Sequence, residues 1–281
     1  MKALNLILVL SLLPTLFSCS KTENENERVL NLLVPAKVKG MDPAFASDKY
    51  SSNEVSRVYE GLLEYHYLWR PYKLVPNLAE ALPVVSKDGL TYTFKIKQGI
   101  LFQDNKAFTG GKGRELMAQD FVYTIKRLAD PKLQSDGWWV LDGKIKGLND
   151  WRDKNAKGSK VDYDEEVVGL KALDKYTVQF VLAKPFPQFL YSLAMSFTFA
   201  TAREVVEFYG KDFLNHPVGT GAFMLDVFDQ SNKITYKKNP TFRNKTFPSD
   251  ASAEFNTPEF LADAGKPLPL VDKVVVNICL L

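Results

Sequence analysis

HPVGTGAFML, residues 216–225, places two glycines one residue apart just before an apolar stretch. Glycine lets the backbone turn sharply and lets another segment approach closely. The spacing does not match the dinucleotide-binding pattern GxGxxG, because Met224 occupies the third glycine position and the following residues predict a hairpin instead of a helix. Gly219 and Gly221 therefore belong to a turn or to a ligand-binding site, and the residues alone leave both interpretations open.

The hairpin after this turn has predicted arms at residues 221–229 and 233–240. Compact apolar runs or period-two alternation predict strands at residues 28–34 and 89–100, a further hairpin at residues 167–173 and 176–185, and a final strand at residues 273–281. Apolar residues at helical spacing predict helices at residues 51–63, 115–131, 186–195 and 201–210. Strands and helices are mixed without a regular βαβ alternation, so the predicted fold class is α/β of the mixed α+β kind.

Residues 132–160 are rich in Gly, Asp and Lys around three tryptophans, Trp138, Trp139 and Trp151. We predict a long loop with short helical pieces. Loops of this length are uncommon unless they are functional, so this segment is a candidate for ligand specificity. Ligand pockets are often lined by aromatic rings, although most aromatic rings of a protein pack in its core.

Composition and motifs exclude several function classes. The net charge of +3, without any block of Lys or Arg, argues against nucleic acid as a partner. Two cysteines and two histidines at distant positions exclude a disulfide framework and a Cys/His metal site. TGGKGRE, residues 109–115, lacks the first glycine and the Ser/Thr of a P-loop, and DYDEEV, residues 162–167, lacks the glycine of a calcium loop. We expect no catalytic site, no cofactor and no metal.

The amino terminus has the composition of a secretory signal. A basic start precedes the apolar residues 3–17, a stretch shorter than the roughly 20 apolar residues that a spanning helix needs. Leu16-Phe17-Ser18-Cys19 resembles the lipobox of bacterial lipoproteins, in which the cysteine receives a diacylglycerol and becomes the first residue. We expect a lipoprotein signal peptide over residues 1–18, a lipid anchor at Cys19 and a polar tether over residues 19–27. A simple signal peptide with an incidental cysteine is the alternative.

Several segments follow one another in an order and spacing that resemble a known family. They are RVYEGLLEY (57–65), LVPNLAEALPVVSKDGLTYTFKIKQGILFQD (74–104), ELMAQDFVYTIKRLADP (115–131), HPVGTGAFML (216–225) and KKNPTF (237–242). The series is similar to the peptide-, dipeptide- and nickel-binding solute-binding proteins of bacterial ABC importers, extracellular solute-binding protein family 5. The resemblance covers most of the chain from about Arg28, and PVGTG, residues 217–221, is its most specific element.

The resemblance implies a periplasmic-binding-protein-like fold of type II, in which two lobes close over a buried ligand. Transferred to this sequence, it implies a discontinuous base lobe of residues 28–62 and 185–281 and an inserted subdomain of residues 63–184. Members run substantially beyond this sequence, so we expect the second lobe to be missing and the final strand to lack a neighbour. Half a cleft buries little of a ligand, so we expect the isolated chain to bind solute weakly or not at all.

The resemblance places the loop after Asp42-Pro43 along the ligand. The predicted ligand-binding residues are Ser47, Asp48 and Lys49, together with Gly219, Thr220 and Gly221. In peptide-binding members the backbone of this loop would pair with an extended ligand. Helix capping explains Asp48 equally well, and a turn explains the two glycines better than ligand contact does.

The implied function is that of a non-enzymatic lipoprotein of an ABC transporter, which captures a peptide or another small solute on the periplasmic side of the cell envelope. The expected partners are the solute, an ABC permease in the membrane, and the lipid bilayer through acylated Cys19. Two alternatives stay open: a structural or interaction lipoprotein that retains one lobe as a scaffold, and a non-functional fragment of a split gene. The sequence does not predict which solute is bound.

Overall fold

The computed structural model describes residues 27–279. The predicted signal peptide and the anchor at Cys19 lie outside the described residues. The strands are β1 (Val29–Val34), β2 (Leu63–Tyr65), β3 (Leu74–Pro76), β4 (Val84–Val85), β5 (Thr91–Lys95), β6 (Leu170–Asp174), β7 (Thr177–Val181), β8 (Phe223–Phe228), β9 (Lys233–Lys238) and β10 (Lys273–Ile278). The α-helices are α1 (Lys49–Val58), α2 (Ala118–Ala129), α3 (Leu148–Lys157), α4 (Phe189–Ser192) and α5 (Arg203–Tyr209).

One four-stranded sheet joins the two ends of the described chain, in the order β1-β10-β9-β8. β10 runs parallel to β1, with Leu30 opposite Val274, and antiparallel to β9, with Val276 opposite Ile234. The prediction that the final strand lacks a neighbour is therefore wrong, because β10 is a central strand. The edges of this sheet are β1 and β8.

A second four-stranded sheet has the order β4-β5-β7-β6 and is antiparallel throughout. Tyr92 and Phe94 of β5 are buried and lie opposite Phe180 and Val178 of β7, as the alternating sequence predicts. The apolar side of α2 packs against this sheet. The predicted hairpins and the helix over 115–131 are thus confirmed, whereas the helix predicted over 186–195 shortens to the single turn α4.

Helix α1 follows the loop that begins at the end of β1. Val55 and Val58 are fully buried, so this face of the helix packs into the core. The helix begins two residues earlier than predicted, at Lys49, and ends five residues earlier than predicted, at Val58. It ends there because Tyr59 takes an extended conformation, with φ −108° and ψ 159°.

Residues 132–160 contain more regular secondary structure than predicted, because the ten-residue helix α3 lies within them. Only Leu148, Trp151 and Asn155 of this helix are buried. Its apolar periodicity is therefore weak, and packing of these few side chains stabilises a segment whose sequence favours a loop.

None of the helices between residues 27 and 279 is both long enough and apolar enough to cross a membrane. The first sheet uses residues 29–34 and 223–278, and the second sheet uses residues 84–181. The division into a base lobe of 28–62 and 185–281 and an inserted subdomain of 63–184 stays a prediction.

A candidate ligand-binding edge at the start of helix α1

The loop between β1 and α1 is held by a buried ion pair. Asp42 Oδ1 and Oδ2 each lie 2.6 Å from one terminal nitrogen of Arg127, in α2, and Asp42 Oδ1 also accepts the backbone N–H of Ala44 at 3.0 Å. The side chains of Asp42 and Arg127 are only 5% and 7% exposed. Burial alone would lower the pKa of Arg127, but the adjacent carboxylate holds that pKa above its ordinary value. This pair fixes the loop to α2.

Asp48 is the N-cap of α1. Its Oδ1 accepts the backbone N–H groups of Tyr50 and Ser51 at 3.0 and 2.9 Å, and its Oδ2 accepts the Ser51 hydroxyl at 2.8 Å. Partial burial would raise the pKa of Asp48, but these hydrogen bonds and the charge of Lys39 lower it below its usual value. The carboxylate of Asp48 therefore caps the helix, as the capping interpretation predicted.

The backbone around Asp48 offers hydrogen-bonding groups to a partner. Within residues 27–279, the C=O of Ser47 and the N–H groups of Asp48 and Lys49 have no hydrogen-bond partner. Ser47 and Lys49 are exposed and Asp48 is half-buried. Because unpaired backbone groups readily bind an extended strand, this stretch is a candidate edge for β-type pairing. We call residues 47–49 the α1 edge.

Two hydroxyl contacts bring a distant segment to the α1 edge. The Ser47 hydroxyl donates to Asp136 Oδ2 at 2.8 Å, and the buried Ser135 hydroxyl donates to the C=O of Ala44 at 2.7 Å. Gln134, just before them, is a non-glycine residue with a φ of +54°, a conformation that such residues adopt uncommonly and that often marks functional segments. The segment that the sequence marked as a candidate for specificity thus lies beside the α1 edge.

The two adjacent tryptophans of this segment have different surroundings. Trp139 is 63% exposed, and its ring lies 6.5 Å from the ring of Phe197 in a nearly perpendicular arrangement. Trp138 is half-buried, with the guanidinium of Arg152 4.9 Å from its ring centre. Trp139 is therefore the ring of this pair that faces solvent.

Gly219, Thr220 and Gly221 lie in the interior, against the last turn of α1. A Cβ atom on Gly219 would come within 2.1 Å of the Val58 carbonyl oxygen, and the N–H of Gly221 donates to that oxygen at 2.8 Å. The Thr220 hydroxyl, 2% exposed as a residue, donates to Glu60 at 2.9 Å. These glycines permit a close backbone approach, and their contact with a ligand stays a prediction.

The structure thus separates the six predicted ligand-binding residues into two groups. The α1 edge lies at the start of α1 and residues 219–221 lie at its end, and a ten-residue helix is about 15 Å long. Asp136 was missed, because nothing local marks a single aspartate whose contact lies 89 positions away in the sequence. Trp139 was flagged only by its aromatic character.

A concavity of the described chain lies elsewhere. It measures about 600 Å³, is widely open, and is lined mainly by polar residues of the segment after α5 and of the β8–β9 hairpin, among them Asp212, His216 and Asp226. None of the predicted ligand-binding residues contributes to it. Across residues 27–279, no three His, Cys, Asp or Glu side chains converge in a way that could hold a metal ion.

The sequence matches the family model of bacterial extracellular solute-binding proteins, family 5 (Middle), over residues 73–279. The chain belongs to this family. Among its curated relatives, the oligopeptide-binding protein AliA of Streptococcus pneumoniae is 30% identical over 240 residues, which cover 82% of this chain and 34% of AliA. The glutathione-binding protein GsiB of Escherichia coli is 31% identical over 198 residues, which cover 70% of this chain and 32% of GsiB. The chain thus spans about a third of the length of these family 5 proteins.

Solved structures confirm the mixed α/β, periplasmic-binding-protein-like fold. The pheromone receptor PrgZ superposes with a TM-score of 0.67 at 25% identity, over 90% of this chain and 43% of PrgZ. Listeria monocytogenes OppA bound to peptide superposes with a TM-score of 0.68 at 23% identity, over 90% of this chain and 43% of OppA. The described residues correspond to less than half of these binding proteins.

Proposed function

We propose that this chain is the solute-binding component of a bacterial ABC importer and that it captures peptides. Membership of family 5 supports the general role, and relatives named for oligopeptide binding support the ligand class. The observation that carries the proposal is the row of unpaired backbone groups at the α1 edge, the C=O of Ser47 and the N–H groups of Asp48 and Lys49.

An extended peptide would add to this edge as a short strand. Its N–H groups would donate to Ser47 and its C=O groups would accept from Lys49, so the main chain of the ligand would supply the hydrogen bonds. Such pairing gives affinity without reading the ligand's side chains. The Asp42–Arg127 ion pair and the cap at Asp48 hold the edge in place before the peptide arrives, which lowers the entropic cost of binding.

The edge is one wall of the ligand site. In the whole transporter, contacts from further protein on the opposite side of the peptide would shift the equilibrium towards a closed state. A site with one wall buries less of its ligand than the 70–90% that is typical of small-molecule sites, so this chain alone should bind at about millimolar strength.

The remaining parts of the proposal concern the cell envelope. An ABC permease would receive the peptide, and diacylated Cys19 would tether the chain to a bilayer through residues 19–27. The family's extracellular assignment and the lipobox-like residues 16–19 support this location. The role is binding and release, without chemistry on the ligand.

The substitution Lys49→Pro tests the edge directly. Lys49 is the first residue of α1, where proline is well accepted, and Asp48 is extended with φ −100° and ψ 156°, as a residue before proline prefers. The change removes one N–H donor and leaves the helix intact. We expect the affinity for a blocked alanine pentapeptide, measured by NMR titration, to fall about three- to tenfold, since one hydrogen bond contributes about 0.5–1.5 kcal/mol.

Lys49→Ala is the matched control, because it removes the same side chain and retains the N–H group. It should bind the pentapeptide within about twofold of the parent, and both variants should keep the parent's melting temperature. Equal affinity of the proline and alanine variants would contradict pairing at the edge, and the absence of any titration with millimolar peptide would contradict the proposed function itself.

A further inference from the structure

Trp139 presents an aromatic face that the described protein leaves without a cation. Its neighbour Trp138 already has the guanidinium of Arg152 over its ring, and no basic side chain of the described residues lies over the ring of Trp139. A large ring that is 63% exposed and rests edge-to-face on Phe197 is held in position at low entropic cost. The electron-rich face of an indole is the aromatic surface that attracts cations most strongly.

Asp136 supplies a carboxylate next to this ring. Its Oδ2 is oriented by the Ser47 hydroxyl, and no basic nitrogen of the described residues lies within 4.0 Å of the carboxylate. Lys49, the one lysine of the α1 edge, is exposed and forms no ion pair with Asp136 among the described residues. Within residues 27–279, Asp136 is therefore an oriented carboxylate without a basic partner.

Asp136 and Trp139 are three residues apart in a segment of consecutive tight turns. The N–H of Trp138 bonds to the C=O of Ser135, the N–H of Val140 bonds to the C=O of Gly137, and the 3₁₀ turn itself covers Trp138–Val140. Gly137, just before it, is also helical, with φ −90° and ψ 0°. Residues three apart in such turns project to the same side of the chain, which would bring the carboxylate and the indole together.

We propose that Asp136 and Trp139 form a subsite for a cationic group of the ligand, an ammonium or a guanidinium, beside the α1 edge. This inference rests on the proposed peptide-binding function and narrows its ligand class to peptides that carry a basic side chain at the position facing Asp136. The cation would donate to the Asp136 carboxylate and lie against the face of Trp139. The oriented carboxylate would add an ionic hydrogen bond, which is stronger than a neutral one.

Two peptides that differ in one charge test the subsite. Blocked Ala-Ala-Lys-Ala-Ala and the same peptide with acetylated lysine have equal length and backbone, and blocked ends leave the lysine as the only charge. We expect the chain to prefer the lysine peptide by about three- to tenfold in an NMR titration, as one exposed cation–π contact and one surface ion pair together imply. The Trp139 indole N–H resonance should move with the lysine peptide and much less with the acetylated one.

Two variants separate the subsite from the edge. Asp136→Asn keeps an oxygen for the Ser47 hydroxyl and removes the charge, and Trp139→Leu removes the ring at an exposed position. Each should reduce the preference to below twofold while leaving the affinity for the acetylated peptide unchanged, whereas Trp139→Phe should retain most of the preference. If both peptides bind the parent equally, or if the preference survives in both variants, the subsite is refuted and the proposed function stands. If neither peptide binds the parent, both are refuted.

Discussion

Replacing Asp42 with alanine is expected to lower the free energy of unfolding by about 3–5 kcal/mol, the usual cost of leaving a buried charge without its partner. Arg127 is 7% exposed, and Asp42 is its ionic partner among the described residues. The same substitution removes the acceptor for the N–H of Ala44 and so releases the loop that carries the α1 edge. Chemical denaturation measures the loss, and we also expect peptide binding at the edge to disappear.

Glu207→Ala is the control for this prediction, since it removes the partner of another arginine at an exposed position. Arg203 and Glu207 are 37% and 59% exposed, so their pair should contribute less than about 1 kcal/mol. A loss for Asp42→Ala no larger than that of Glu207→Ala would show that the buried pair does not hold the loop to α2.

Gly219→Ala is expected to destabilise the protein by about 2–4 kcal/mol through overpacking and loss of a backbone hydrogen bond. The added Cβ would lie 2.1 Å from the Val58 carbonyl oxygen and 3.0 Å from the Cα of Tyr59, and backbone atoms cannot move aside as a flexible side chain would. The end of α1 would have to shift, which would break the 2.8 Å bond from Gly221 to Val58. Denaturant unfolding measures the effect.

Gly158→Ala provides the comparison at a glycine that ends a helix in the open. Gly158 is exposed, its φ of −76° and ψ of 160° suit alanine, and the nearest atom to an added Cβ is 3.2 Å away. We expect the free energy of unfolding of the Gly158→Ala variant to stay within about 1 kcal/mol of that of the parent protein. Similar small effects at both positions would mean that close packing of PVGTG against α1 does not explain its glycines.

Local sequence patterns predicted much of this fold, but they failed where contacts between residues far apart in the sequence determine the structure. Tyr92 and Phe94 alternate with polar residues, and this pattern identified β5 because alternate burial in a strand is visible in consecutive residues of the sequence. The partners of β10 could not be identified in this way, since β1 lies at the other end of the described chain. Residues 132–160 were predicted as a loop with short helical pieces, and the ten-residue length of α3 was not recognised because only three of its residues are buried and charged and amide residues make up most of the rest.

The site was predictable only in part, for the same reason. The resemblance to family 5 marked the α1 edge, and the sequence Ser-Asp-Lys at 47–49 suggested a cap. That the carboxylate of Asp48 caps α1 while the backbone beside it stays unpaired required the structure. The position of Asp136 next to Ser47 is a tertiary contact with no local signature.

The glycines illustrate how one residue type admits two explanations. Close approach was expected of Gly219 and Gly221 from the absence of a side chain. Sequence could not say whether a ligand or another part of the chain makes that approach. In the structure it is the end of α1, through the carbonyl of Val58.

The most direct test of the account is the behaviour of individual backbone amides when a peptide binds. In an NMR titration with blocked alanine pentapeptide, the amide resonances of Asp48 and Lys49 should shift most, and the Lys49 amide, which donates to the peptide, should exchange more slowly with solvent. The amide of Gly221, already bonded to Val58, should not change. Unchanged amides at Asp48 and Lys49, with peptide-induced shifts confined to another surface, would contradict the claim that the chain captures its ligand along the start of α1.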